Sequence, residues 1–258
     1  MGSTGEFKLE HAALLKRALT CTAAELHHVL STDEAEVIHA ALRNISLEEE
    51  HLQYLLQRRD LDSTILTHIC RHKLGRTRAV AIQLLAHPHI NPQQIKMVLE
   101  RLHLLELLNI AILPGQAADV RIAAEHHLCR RLPTAPLGNK ITLARRATYP
   151  VLEALMLDGH PRLIEPCLNN PRMKEAAIYR FLHGQNVGTE SIIAIARHPR
   201  WNKRPNIRLA ILRNRHTPKT LFMRFLPSIP QQQARQLLFS KHLKAVQKEW
   251  IREILGHG

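Results

Sequence analysis

The chain of 258 residues carries 36 Lys and Arg against 22 Asp and Glu, a formal charge of +14, and 45% of it is hydrophobic. That apolar share supports a sizeable core and excludes intrinsic disorder for most of the chain. Aromatic residues at 4% and only 10 glycines exclude a β-sandwich, a barrel or a Gly-rich nucleotide fold, and the many Leu, Ala, Arg and Gln residues favour helices.

Residues 1–29 read as an N-terminal helical cap. Their first ten residues, MGSTGEFKLE, lack the apolar core of an export signal. Residues 30–131 read as N-terminal helical repeats. Leu42 precedes Asn44, and Leu47, Leu52, Leu55 and Leu56 follow it at three- and four-residue steps, the spacing of one helix face. His87-Pro88 repeats that frame, with Leu85 before it and Ile90, Ile95, Val98 and Leu99 after it. The longest apolar stretch, Leu102–Leu113, is interrupted by His103, Glu106 and Asn109. It is shorter than the roughly 20 apolar residues a bilayer span needs, so the expectation is a soluble, cytoplasmic protein with no membrane partner. Residues 132–139 form a joint, since LPTAPLG carries two prolines and a glycine.

Residues 140–226 read as C-terminal repeats. Set 44 residues apart, Leu168 meets Leu212, Asn170 meets Asn214, and Arg180-Phe181-Leu182 meets Arg224-Phe225-Leu226. Arg78, Arg121 and Arg208, in TRAVA, VRIAA and IRLAI, are separated by 43 and 87 residues. These recurrences predict a unit of about 43–44 residues built from two helices and a tight turn. Asn ends a helix readily and a following Pro cannot continue it, as at Asn170-Pro171 and His198-Pro199. Residues 227–258 read as amphipathic capping helices.

The pattern I-R-x-A-x-x-R-N-x-x-T-P-x-x-L-x-x-x-L over residues 206–226 resembles the leucine-rich-repeat variant, an all-helical bacterial repeat, and the V/I-R-x-A signature at Arg121 and Arg208 resembles HEAT repeats. The resemblance implies an all-α fold, a right-handed α-solenoid of HEAT-like helical hairpins, in which such an arginine packs within a ladder between units. It implies a scaffold and assigns no reaction. Some variant-repeat proteins hold an iron–sulfur cluster on clustered cysteines. Cys21, Cys70, Cys129 and Cys167 are scattered, with no CxxC pair, so no cluster, disulfide framework or other cofactor is expected. HEAT-like DNA glycosylases share a basic surface and add a catalytic carboxylate, but no Asp or Glu occurs from Ser191 through Lys248. Only Asp158 or Glu190 could approach in space.

Charge is concentrated at the end of the chain. Residues 1–60 hold 6 basic and 10 acidic side chains, residues 61–190 hold 16 and 10, and residues 191–258 hold 14 and 2. The candidate site is Arg197, Arg200, Trp201, Lys203, Arg204, Arg208, Arg213, Arg215 and Lys219. Forked Arg donors match phosphate oxygens and an indole face stacks on a base, which points to nucleic acid or another polyanion. Arg180, Arg208 and Arg224 also fit a packing role, and Trp201 aligns with Met173 as a core residue. A protein partner in a solenoid groove is the alternative.

Of 18 histidines, His68 and His72 share a helix face but lack the third ligand a zinc site needs. His87 and His198 stand where sister turns have Asn. No metal site and no catalytic residues are expected, and GxSxG, P-loop and GxGxxG motifs are missing.

Overall fold

The computed structural model describes residues 3–256, with side-chain positions for residues 10–256. Among them the chain is all-helical, with no strand, and no helix is long and apolar enough to cross a membrane. It divides into two compact units, residues 1–127 and 128–258. The first holds α1 (Ser3–Thr20), α2 (Ala23–Val29), α3 (Ala35–Ala41), α4 (Glu49–Leu55), α5 (Ser63–Arg71), α6 (Arg78–Leu85), α7 (Pro92–Arg101), α8 (Leu104–Ile112) and most of α9 (Ala118–Arg131). The path breaks over residues 132–136, inside the expected joint, and helix resumes at Leu137. The second unit continues with α10 (Leu137–Arg146), α11 (Tyr149–Asp158), α12 (Pro161–Asn169), α13 (Glu175–Leu182), α14 (Thr189–Arg197), α15 (Pro205–Leu212), α16 (Lys219–Phe225), α17 (Gln231–Leu237) and α18 (Ala245–Gly256). Residues 1, 2, 257 and 258, at the tips of the two expected caps, lie outside the described residues.

Each helix buries one stripe. In α12 the buried residues are Leu163, Ile164, Cys167 and Leu168, and in α13 Ala177, Ile178, Phe181 and Leu182. Helices contact their next-but-one neighbours: α1, α3, α5 and α7 in one series and α2, α4 and α6 in another. In the second unit α10, α12 and α14 form one series and α11, α13 and α15 the other. Each unit is thus built in two layers. Gly159 ends α11 at φ 78°, and a Cβ there would lie 2.4 Å from the Asn186 carbonyl oxygen, so glycine is required at this close approach.

The expected repeat length is corrected by this arrangement. Asn170 follows α12 and Asn214 follows α15, so the 44-residue step spans three helices and superposes the two layers. Asn44 and His87 differ by three helices in the same way. Steps that return to the same layer are shorter and uneven: 28 residues from Asn170 to His198, but 23 from Ala147 to Asn170 and 24 from Gly159 to His183. The longer step arose because the same turn chemistry ends helices of both layers. The expected arginine ladder is corrected too: Arg78 and Arg121 are exposed, and of the three only Arg208 reaches a neighbouring turn.

That turn chemistry holds successive helices together. Asn170 donates from Nδ2 to the carbonyls of Ala144 (2.8 Å) and Ala147 (3.3 Å) at the end of α10, while its Oδ1 accepts from the Arg172 amide at 2.8 Å. Asn44 does the same with Ala18, Cys21 and Ser46, and Asn214 with Leu182 and His216. His87 substitutes an imidazole, donating from Nε2 to Arg58 O and accepting at Nδ1 from His89 N. A second set works at helix starts. His51, Gln94 and Gln247 accept the N-cap amide three residues before them and donate to carbonyls 28–33 residues back. Helix C-terminal ends leave carbonyls without partners, and the Asn and His of the first set supply them, whereas His51 and Gln94 reach the first residues of α2 and α5.

His68 and His72 serve this framework separately. His72 Nδ1 accepts the Leu74 amide, whereas His68 meets His39, Nδ1 to Nδ1, at 3.0 Å. Thr64 gives its hydroxyl proton to Asp62, so His39 must donate from Nε2 to Thr64 Oγ1 and accept from His68 at Nδ1. Cys21, Cys70 and Cys167 are buried, and burial pushes the thiols of Cys70 and Cys167 up to about 11 and about 12.

Two substitutions separate satisfied from unsatisfied burial. Asn170→Ala removes three hydrogen bonds and strands buried carbonyls, and is expected to cost about 2–4 kcal/mol in denaturant unfolding. Ser191→Ala removes a buried hydroxyl with no partner and is expected to leave stability unchanged or raise it by up to about 1 kcal/mol.

The histidines set a pH dependence. His68, His72, His198 and His216 all lie below the ordinary value of 6.5, first through burial and then through neighbouring positive charge. Their contribution is complete above pH 6.5 and is lost as pH falls from there through the lowered folded values. His11, raised mainly by its hydrogen bond to Glu36, acts oppositely, fading as pH rises. The melting temperature is expected to fall between pH 7 and 5.5, and less steeply in His198→Asn, which keeps the turn with a side chain that does not titrate.

Candidate nucleic-acid interface

Arg204 is the N-cap of α15 and Arg213 its C-cap. The eight residues between them make a helix ~12 Å long at about 1.5 Å per residue. The nine expected site residues are therefore split. Arg197, Arg200, Trp201, Lys203 and Arg204 stand before α15, Arg208 lies within it, and Arg213, Arg215 and Lys219 come after it.

Trp201 is a correction. It is 2% exposed, its indole N–H donates to Leu168 O at 3.1 Å, and the Arg200 guanidinium carbon lies 4.4 Å from its ring centroid. It has no face on which a base could stack. Its position three residues after His198 matches Met173 after Asn170, and both plug the core beneath the turn.

Three other members are engaged within the fold. Arg208 donates from Nε to Asn202 O at 2.6 Å and from Nη1 to Ser228 Oγ at 3.1 Å, and lies over the Phe225 ring. Lys219 pairs with Glu253 at 2.8 Å. Arg200 reaches Met173 O at 3.5 Å while covering Trp201. Arg180 pairs with Glu153 and Arg224 lies over Phe225, the packing roles the sequence allowed. Arg197, Lys203 and Arg204 are exposed, with no carboxylate in ion-pair range among the described residues.

The ends of α10, α12 and α14 are tied to one another in sequence. Asn170 and Arg172 bond to carbonyls of residues 144–147, and His198, Arg200 and Trp201 bond to residues 168–173. This aligns Arg145 and Arg146 with Arg172 and Lys174, and those with Arg197, Arg200, Lys203 and Arg204, all exposed. Glu175 falls within these turns in sequence, and Glu165 of α12 lines a cleft with Arg145 and Arg162. Lys174 Nζ lies 4.6 Å from the Tyr149 ring centroid, adding an aromatic to the row. Arg145, Arg146, Arg172 and Lys174 lie outside the site expected from charge density, and of these Arg172 has a sequence signal: Asn170-Pro171-Arg172-Met173 and His198-Pro199-Arg200-Trp201 are the same turn 28 residues apart.

Asp158, weighed as a catalytic carboxylate, is bound by the buried Lys140 at 2.6 Å. Glu190 is exposed in the first turn of α14. Arg130 is exposed on α9.

Stability should separate the engaged from the free cations. Arg208→Ala is expected to cost about 1–3 kcal/mol, since it deletes charge-assisted hydrogen bonds between two turns. Lys203→Ala should change unfolding by no more than about 0.5 kcal/mol.

Compared with family models, curated proteins and solved structures, the chain matches none.

Proposed function

We propose that the chain is a binding scaffold for nucleic acid, in which the row of basic turns in the second unit follows a phosphate backbone. In this reading the two helix layers are those of an α-solenoid, and its stacked turns repeat charge at regular steps. The observation that carries it is the row itself: the ends of three successive helices of one layer, α10, α12 and α14, hydrogen-bonded in register, each presenting at least two exposed cations.

The dimensions suit the task. Stacked helices lie about 8–10 Å apart, so three turns span ~20 Å. One strand of a duplex advances ~3.4 Å per phosphate along its axis, and the row faces about six phosphates. Arginine and lysine here contact the backbone and carry no base readout, so binding is expected to be weakly selective for sequence. The role is that of a rigid surface presenting many weak contacts, and no reaction is assigned. An acidic protein would find the same row attractive, but without the counterion release of a condensed phosphate backbone.

Affinity for a short duplex measured across a salt series is expected to give a log–log slope near −5, from about 0.9 per phosphate. Lys203→Glu combined with Arg204→Glu should weaken binding about tenfold or more and reduce the slope, with the helical circular dichroism unchanged. Salt-independent binding, or full affinity in the double variant, would refute the assignment and favour a protein partner.

A further inference from the structure

The far end of α15 opens on a different feature. The C-terminal ends of α13, α15 and α17 surround a cleft of about 840 Å³, lined by His183, Arg213, Arg215, His216, Lys241 and His242 among its polar residues. Among the described residues no Asp or Glu lines it. Leu182, Ala210 and Leu237 supply apolar wall, and Phe239, 83% exposed, stands among the lining residues. That volume lies within the range of small-molecule sites.

The cations are not needed to finish the helix ends. Leu182 O is taken by Asn214 Nδ2, Tyr179 O by His183, Ile211 O by Thr217 Oγ1, and Leu237 O by the Ser240 amide. Arg213 and Lys241 have no carboxylate in ion-pair range among the described residues, and Arg215 spends only its Nε, on His216. Three helix C-termini bring about half a negative charge each. Arg213, Arg215 and Lys241 bring three positive charges, so the cleft remains positive by about one and a half units, close to the negative charge of a phosphate monoester near neutral pH.

We propose that this cleft binds a nucleotide, its phosphate held by Arg213, Arg215 and Lys241 and its base laid against Phe239. An exposed phenylalanine beside an unpaired cationic cluster has no packing function in the chain itself, and it supplies the stacking face that Trp201 lacks. The nucleotide is either a free mononucleotide or an unpaired nucleotide of a single strand. The site is separate from the basic row, which lies before α15, and does not depend on it.

Titration calorimetry on the full chain with the four ribonucleoside 5′-monophosphates, inorganic phosphate and a 12-nucleotide single strand tests this. The nucleotides are expected to bind about tenfold or more tightly than inorganic phosphate, since a stacked base contributes about that factor. Phe239→Ala should remove that advantage, and Arg213→Gln with Lys241→Gln should weaken nucleotides and phosphate together. Lys203→Glu with Arg204→Glu should leave mononucleotide binding unchanged, which separates this site from the row. If only the single strand binds and Phe239→Ala weakens it about tenfold, the source is an unpaired nucleotide and the proposal stands. If phosphate binds as tightly as the nucleotides, or if neither set of cleft variants alters any ligand, the proposal fails. Unchanged melting curves for Phe239→Ala keep the loss attributable to the cleft.

Discussion

The arrangement rests on one kind of side chain, an amide or imidazole that donates and accepts at the same turn. A helix end leaves carbonyls without partners, and a following turn leaves amides in the same state. An Asn, Gln or neutral His carries both a donor and an acceptor, so it can satisfy its own turn and reach the preceding helix at once. Asn170 joins α12 to α10 in this way, Asn214 joins α15 to α13, and Gln94 joins α7 to α5. A serine is too short for the reach, and a lysine has no acceptor for the turn amide. The many histidines of this chain are in part explained by that requirement.

The same geometry places the charge. Two residues after the joining side chain, the backbone amide is its hydrogen-bond donor, as at Arg172 and Arg200. Those side chains lie outside the core, and three residues after the join the chain turns inward at Met173 and Trp201. Arginine at the second position is therefore brought into register from one helix end to the next. Arg172 and Arg200 also reach back to Arg146 O and Met173 O, so each reinforces the alignment it belongs to. Charge at the other end of α15 follows a different layer, which is why one acid-free segment of sequence serves two separate surfaces.

Asn and His joins differ in one respect. An Asn join is indifferent to pH, whereas His198 accepts at Nδ1 and donates at Nε2, which requires the neutral ring. Protonation removes the acceptor and leaves a turn amide without its partner. Burial lowers the His198 value and the neighbouring Arg200 adds to it, so the basic row helps keep its own turn intact at neutral pH.

Composition and three- to four-residue apolar spacing determined by themselves that the chain is helical, where Asn170 and His198 end helices, and that its excess charge lies near the C-terminal end. These are local properties, written in contiguous residues. Equivalent turns occur in both layers, and sequence does not say which layer a turn belongs to, so the 44-residue spacing of Asn170 and Asn214 spans three helices. The role of Trp201 was open for a related reason: only the fold decides whether an indole beside arginines faces water or the core, and here Leu168 O and the Arg200 guanidinium enclose it. Tertiary structure likewise decided that Arg172 and Lys174 join the row, and that Arg213, Arg215, Lys241 and Phe239 share a cleft. These groups meet across about 23 or more residues of chain, and the row is held by hydrogen bonds between helix ends that no local pattern encodes.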